Sequence, residues 1–139
     1  MRSGIFVDTS AWYALANAGD RRHAVATKFL SQALSDYPEL VSTNHVVGET
    51  YTLRICRAGH ELACVFLRNL RRTKKLRMSF VSQETELEAY DLLERYSDHD
   101  FSFVDGTSFI AMKAQHISDC FGFDRHFAAA GFTLLPALR

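Results

Sequence analysis

Short apolar runs alternate along this chain with longer segments in which apolar residues return every three or four positions. The runs fall at residues 4–7, 40–43, 77–81 and 132–135, with a weaker one at 120–123. Their length and their β-branched and aromatic content predict strands. In HAVATKFLSQAL, Val25, Phe29 and Ala33 share a stripe with Leu30 and Leu34. In ETELEAYDLLERY, Leu87, Tyr90, Leu93, Ala89 and Tyr96 do the same while the acids face away. Both patterns predict amphipathic helices. Ser82, followed by Gln83, Glu84 and Glu86, supplies an N-cap and an acidic first turn. Pro38 closes the connection before the second run, and Gly131 reads as the stop of a helix beginning near Arg125. Strand alternating with helix implies a parallel sheet covered on both faces. In such sheets ligands bind beyond the carboxyl ends of the strands, so residues that follow strands carry the chemical interest.

At 139 residues, 47% of them hydrophobic, the chain suits one domain spanning 1–139. Sixteen basic and sixteen acidic residues leave a formal charge of zero. A nucleic-acid partner must therefore be met by a local patch rather than by the field of the whole molecule. Cys56, Cys64 and Cys120 are odd in number and never spaced C-x-x-C, which predicts buried free thiols rather than disulfides or a zinc site. No apolar run approaches the ~18 residues of a membrane span. The expectation is a soluble, cytoplasmic protein without a membrane partner.

Four acids stand at the ends of these elements. Asp8 follows IFV, Asp105 lies in FSFVDGTSF, Asp124 lies in FGFDRHF, and Glu49 sits within the helical segment STNHVVGETYTLRICRAG. Taken singly, Asp8 and Asp105 read as helix N-caps, Glu49 as a solvated helical residue and Asp124 as a turn residue or a weak ion pair. Taken together they say more, because aromatic and apolar flanks make IFVD, FSFVD and FGFD costly places for uncompensated charge. Clustered carboxylates repel, and a divalent cation relieves that repulsion. Mg²⁺ or Mn²⁺ takes oxygen ligands and substrate phosphate oxygens, which suits phosphodiester hydrolysis. Thr9 and Ser10, directly behind Asp8, are placed to orient a ligand or a water. The apolar run before Asp105 reads either as a strand or as an irregular lead-in.

VDTSAW with Asp8, VVGET with Glu49, FSFVDGTSF with Asp105 and FGFDRHF with Asp124 resemble, in order and spacing, the four acidic motifs of PIN-domain ribonucleases. The likeness is greatest to the VapC toxins of bacterial toxin–antitoxin pairs, and RAGHELA and the ending GFTLLP fit the same pattern. The resemblance implies a three-layer α/β/α sandwich around a parallel sheet of four to five strands, with Asp8, Glu49, Asp105 and Asp124 as catalytic metal ligands. It further implies Mg²⁺- or Mn²⁺-dependent endoribonuclease activity, a homodimer, and inhibition by a cognate antitoxin whose C-terminal segment enters the active groove. The third motif departs from the family. Thr107, Ser108 and Phe109 stand where a further acid or small residue is often found, so a fifth acidic ligand is absent and Thr107 or Ser108 is left to substitute through a water.

RNLRRTKKLR, residues 68–77, holds six basic residues in ten. Arg71, Arg72, Lys74 and Lys75 are therefore candidate phosphate contacts, although a basic helix end also suits its own dipole. Arg54 and Arg57, on the helix of Glu49, and Arg125 and His126, beside Asp124, lie closer to the acids. Trp12 and Tyr13 read either as base-stacking groups or, preferably, as core or dimer contacts. SDHD, residues 97–100, reads as a solvated loop, and His45, four residues before Glu49, as a capping or core histidine rather than a zinc ligand.

Other readings are a PIN-like RNA-processing nuclease and a catalytically weak module binding RNA or a partner protein. An aspartyl phosphatase wants an acid at position 10, which is Ser10. A receiver domain wants paired early acids and a late Lys, and a dinucleotide site wants G-x-G-x-x-G after the first strand. None is present. The RNA target, whether transfer, ribosomal or messenger RNA, stays open, as does the identity of the antitoxin.

Overall fold

The computed structural model describes residues 3–137. In chain order the elements are β1 (Ile5–Val7), α1 (Thr9–Ala16), α2 (His23–Asp36), β2 (Leu40–Thr43), α3 (Asn44–Ala58), α4 (His60–Arg71), β3 (Leu76–Ser79), α5 (Gln83–Arg95), α6 (Phe103–Ala114), β4 (Asp119–Phe121), α7 (His126–Ala129) and β5 (Thr133–Leu135). The strands form one parallel sheet in the order β3-β2-β1-β4-β5. This is an α/β/α sandwich, and β1 at its centre is the switch point from which the chain winds outward in both directions.

The layering follows from the short strands. Successive strand residues point to opposite faces, yet Ile5, Phe6 and Val7 are all 0% exposed, so both faces of the sheet are covered. Phe6 is level with Cys120 and packs on Phe127 of α7, which in turn meets Phe109 of α6 edge to face. Val7 is level with Phe121, which lies against Phe29 of α2 with ring centroids 4.9 Å apart. Burying a phenylalanine in this way contributes about 1.5–3 kcal/mol each.

Several sequence expectations shift. The strand expected over 77–81 is Leu76–Ser79, leaving Phe80 outside the ladder and 74% exposed. The weak strand at 120–123 starts one residue earlier and ends at Phe121. The run before Asp105 is not a strand, because Ser102 caps α6 and the helix starts at Phe103. Val25, Leu87 and Tyr90, expected on buried stripes, are exposed; α5 buries Ala89 and Leu92 instead. Of the cysteines only Cys120 is buried, and Cys56 is exposed. The expected caps hold at Ser82, whose side chain accepts from Thr85 N, and at Gly131, whose φ of +98° ends α7 in the left-handed region. Among the described residues no helix is long and apolar enough to cross a membrane.

Candidate active site

Three of the four acids follow the three central strands or their connections, and the fourth is delivered by α6. Asp8 leaves β1 as the N-cap of α1 and is 3% exposed. Its Oδ2 accepts from Ser10 N at 3.4 Å and from Ser10 Oγ at 3.0 Å. Ser10 Oγ accepts in turn from Phe123 N at 2.8 Å. One hydroxyl thus ties the first acid to the loop that carries the last. The loop must come close: a Cβ on Gly122 would stand 3.2 Å from both Asp8 Cβ and Ser10 Oγ, so the missing side chain permits the approach.

Asp105 is not an N-cap. It occupies the third helical position of α6, where its amide donates to Ser102 Oγ and its Oδ2 accepts from Ser102 N, both at 3.0 Å. This reciprocal capping box fixes a carboxylate that is only 5% exposed. The same Oδ2 lies 2.8 Å from Nδ1 of His126. An acceptor-only carboxylate requires Nδ1 to donate, which sets the imidazole tautomer. Asp124 Oδ1 accepts from His126 N at 2.9 Å. His126 is therefore held by two acids, and ligand atoms of Asp105, Asp124 and His126 lie within 4.8 Å of one another. Glu49 comes from the second turn of α3, half-buried, on the face that also carries Leu53 and Arg57.

These side chains line one cleft of about 460 Å³, together with Thr9, Tyr13, Asp20 and Arg22. The cleft is electrostatically strained. Burial, reinforced by the charges of Asp105 and Asp124, pushes the Asp8 carboxyl up to about 7, against the Thr9 amide and the Ser10 hydroxyl, which favour its ionised form. His126 is raised chiefly by its hydrogen bond to Asp105, with the charges of Asp124, Asp105 and Asp100 adding to it. Burial, then the charges of Asp8, Asp124 and Asp105, drives the Cys120 thiol well above its ordinary range. Asp8, Glu49, Asp105 and Asp124 around one cavity, Asp8 and Asp105 buried, form a hard oxygen-donor set of the kind a divalent cation neutralises. The residues present fit such an ion.

The cleft gathers Asp8, Thr9, Ser10, Glu49, Asp105, Asp124 and Arg57 from the sequence candidates. Thr107 and Ser108 are fully buried outside it. Thr107 Oγ1 donates to the Val104 carbonyl at 3.2 Å and also meets His45 Nδ1 at 3.2 Å. His45 is thereby tied to α6, and its Nε2 stands 3.6 Å from Glu86 rather than joining Glu49. Arg54 is buried, donating to the Ala16 carbonyl at 3.1 Å, and Arg125 is exposed outside the lining. Arg71 ends α4, and Arg72, Lys74 and Lys75 lie between it and β3, at the amino ends of the strands, whereas the acids sit at the carboxyl ends. Trp12 is core, donating to Ser42 Oγ at 3.1 Å, while its neighbour Tyr13 lines the cleft. Arg22, absent from the sequence candidates, lines it too, and nothing in its local sequence signals this.

A parallel sheet with this strand order and acids gathered at its carboxyl edge defines a PIN-type nuclease architecture, and the PIN domain family matches residues 5–132. The chain belongs to that family. It is 42% identical over 128 residues to the 23S rRNA-specific endonuclease VapC20 of Mycobacterium tuberculosis, in both strain CDC 1551 / Oshkosh and strain H37Rv, covering 92% of this chain and 95% of that protein. The crystal structure of M. tuberculosis VapC20, a sarcin–ricin loop cleaving toxin, superposes with a TM-score of 0.85 at 40% identity, over 94% of this chain and 97% of that one.

Proposed function

We propose that this protein is a divalent-metal-dependent endoribonuclease that hydrolyses RNA phosphodiester bonds as the toxin of a toxin–antitoxin pair, with the sarcin–ricin loop of 23S rRNA as its substrate. The observation that carries this is the convergence of Asp8, Glu49, Asp105 and Asp124 on one cleft, in a chain 42% identical to a 23S rRNA-specific endonuclease.

Asp8, Asp105, Asp124 and Glu49 would hold Mg²⁺ or Mn²⁺, which supplies an activated water and charge stabilisation at the leaving oxygen. The protein's own part is to hold the carboxylates in place. Ser10 anchors Asp8, Ser102 anchors Asp105, and His126 spans Asp105 and Asp124, so the donors are set before substrate arrives. Thr9, which follows Asp8 in the lining of the cleft, is placed to orient a water; its buried Oγ1 has no partner among the described residues.

A homodimer is supported by exposed apolar side chains on α5 and the start of α6: Leu87, Tyr90 and Phe103, the last two with rings 5.9 Å apart. A separate antitoxin chain is the regulatory partner that the reading implies. The decisive experiment incubates the purified protein with a 23S rRNA fragment carrying the sarcin–ricin loop and Mg²⁺ or Mn²⁺. Primer extension should show one dominant cut that EDTA abolishes. Cleavage indifferent to chelator would remove the metal mechanism, and cleavage elsewhere would remove this substrate.

A further inference from the structure

The cleft that must receive RNA is lined by five carboxylates: Asp8, Asp20, Glu49, Asp105 and Asp124. A polyanion cannot settle there unless cations on the walls meet its phosphates. Arg22 and Arg57 line the same cleft. Arg57 is exposed, and no ion pair engages either arginine among the described residues. Each guanidinium instead lies over an aromatic ring that is itself part of the site's frame. Arg57 stands 5.1 Å from the centroid of Tyr13, and Arg22 stands 5.0 Å from that of Phe123.

We propose that Arg57 on Tyr13 and Arg22 on Phe123 form two ring-backed phosphate clamps that hold the RNA backbone on the two sides of the scissile bond. This rests on the endoribonuclease reading and adds the substrate-holding residues to it. Glu49, Leu53 and Arg57 are spaced i, i+4, i+8 and so share one face of α3. At 1.5 Å per residue, Arg57 lies ~12 Å beyond Glu49 along that helix, too far for the phosphate under attack and suited to a neighbouring one. Arg22 belongs to the other wall, since Phe123 immediately precedes Asp124 and donates its amide to Ser10. The loop bearing Arg22 is held by Asp20, whose Oδ1 accepts from Arg22 N at 2.7 Å. A guanidinium resting on a ring loses little further freedom when it meets phosphate, and its planar fork binds two oxygens at once. Arg54, 6.0 Å from the Tyr13 centroid and bonded to the Ala16 carbonyl, stiffens Tyr13 from within and is a positioning residue.

The test measures binding of a fluorescein-labelled hairpin carrying the sarcin–ricin sequence, by anisotropy in EDTA across a salt series, beside cleavage kinetics in Mg²⁺. Arg22→Ala and Arg57→Ala should each weaken binding roughly 10-fold at low salt and lower the salt slope by about one. KM should rise by a similar factor while kcat stays within about threefold. Arg57→Lys should keep the slope but lose affinity several-fold, because an ammonium cannot form the fork. If either alanine variant melts early, Arg→Gln at that position, which keeps the stem on its ring, takes its place. Wild-type slope and affinity in both variants would overturn the clamps while leaving the nuclease standing. A wild-type protein that neither binds nor cuts the hairpin would remove the proposed substrate and the clamps with it.

Discussion

Asp8 carries the sharpest conflict between folding and function. A carboxyl with a pKa of about 7 when folded, against 3.8 as its ordinary value, binds its proton more tightly in the native state. Its stabilising contribution is therefore whole below about pH 4 and is lost as pH rises through about 7. His126, also raised above its ordinary 6.5, acts in the same direction over the upper part of that window. The metal-free protein should consequently melt at lower temperature at pH 8 than at pH 5, and added Mg²⁺ should recover the loss at pH 8. Asp8→Asn, a mimic of the protonated acid, should raise the pH 8 melting temperature by roughly 5 °C, abolish the Mg²⁺ response and lower cleavage at least roughly 100-fold. A calorimetric pH series on the two proteins checks each part. Gly122→Ala probes the same acid from the other side. Its methyl would crowd Asp8 Cβ and Ser10 Oγ at 3.2 Å, so kcat/KM should fall about 10-fold or more for about 1 kcal/mol of stability, read by kinetics beside thermal melts.

Among the elements, α6 shows how a helix start can be chemistry as well as structure. Ser102→Ala removes the hydroxyl half of the capping box and should cost about 1 kcal/mol. It deprives Asp105 N of its acceptor and so loosens the turn that presents the carboxylate, although the Ser102 backbone N–H and His126 Nδ1 still face its Oδ2. Activity should fall further than a global loss of that size explains, and Ser102→Thr, which can restore the cap, should regain most of it; initial rates measured well below the melting temperature separate the two effects. This start was legible in the sequence. SFVD has the S-x-x-D form of a capping box, but the aromatic run around it carries a strand-like signal that competes with the cap. The period of α5 misled for a different reason. Leu87 and Tyr90 follow helical spacing yet are about half exposed, because periodicity marks an apolar face and cannot say whether the same chain covers it.

For the molecule as a whole, the gathering of the four acids on one cleft was legible in advance because Asp8, Asp105 and Asp124 are charges in apolar settings near predicted elements, Glu49 lies on the helix after the second strand, and a parallel sheet sends such positions to one edge. The two arginine clamps could not. Arg22 meets Phe123 across 101 residues of chain, and only the finished fold brings them together. The same geometry separates the sequence's most conspicuous basic segment from the cleft. Lys75 donates Nζ to the Tyr37 carbonyl at 3.4 Å, and Arg71, Arg72 and Lys74 sit with it at the strands' amino ends. Neutralising Arg71, Arg72, Lys74 and Lys75 together should leave the salt slope for a hairpin short enough to fill only the cleft unchanged, as a titration of the quadruple variant would show.

The winding of the sheet also fixes when the protein can first act. Strand β1 is made first yet sits at the centre, and its pairing with β4 requires chain synthesised more than a hundred residues later. The carboxylates span Asp8 to Asp124, so a polypeptide halted anywhere before the last of them has an incomplete site. On the proposed reading, nuclease activity therefore arrives late in translation, after the chain's fourth acid has been added and can reach its place beside the first.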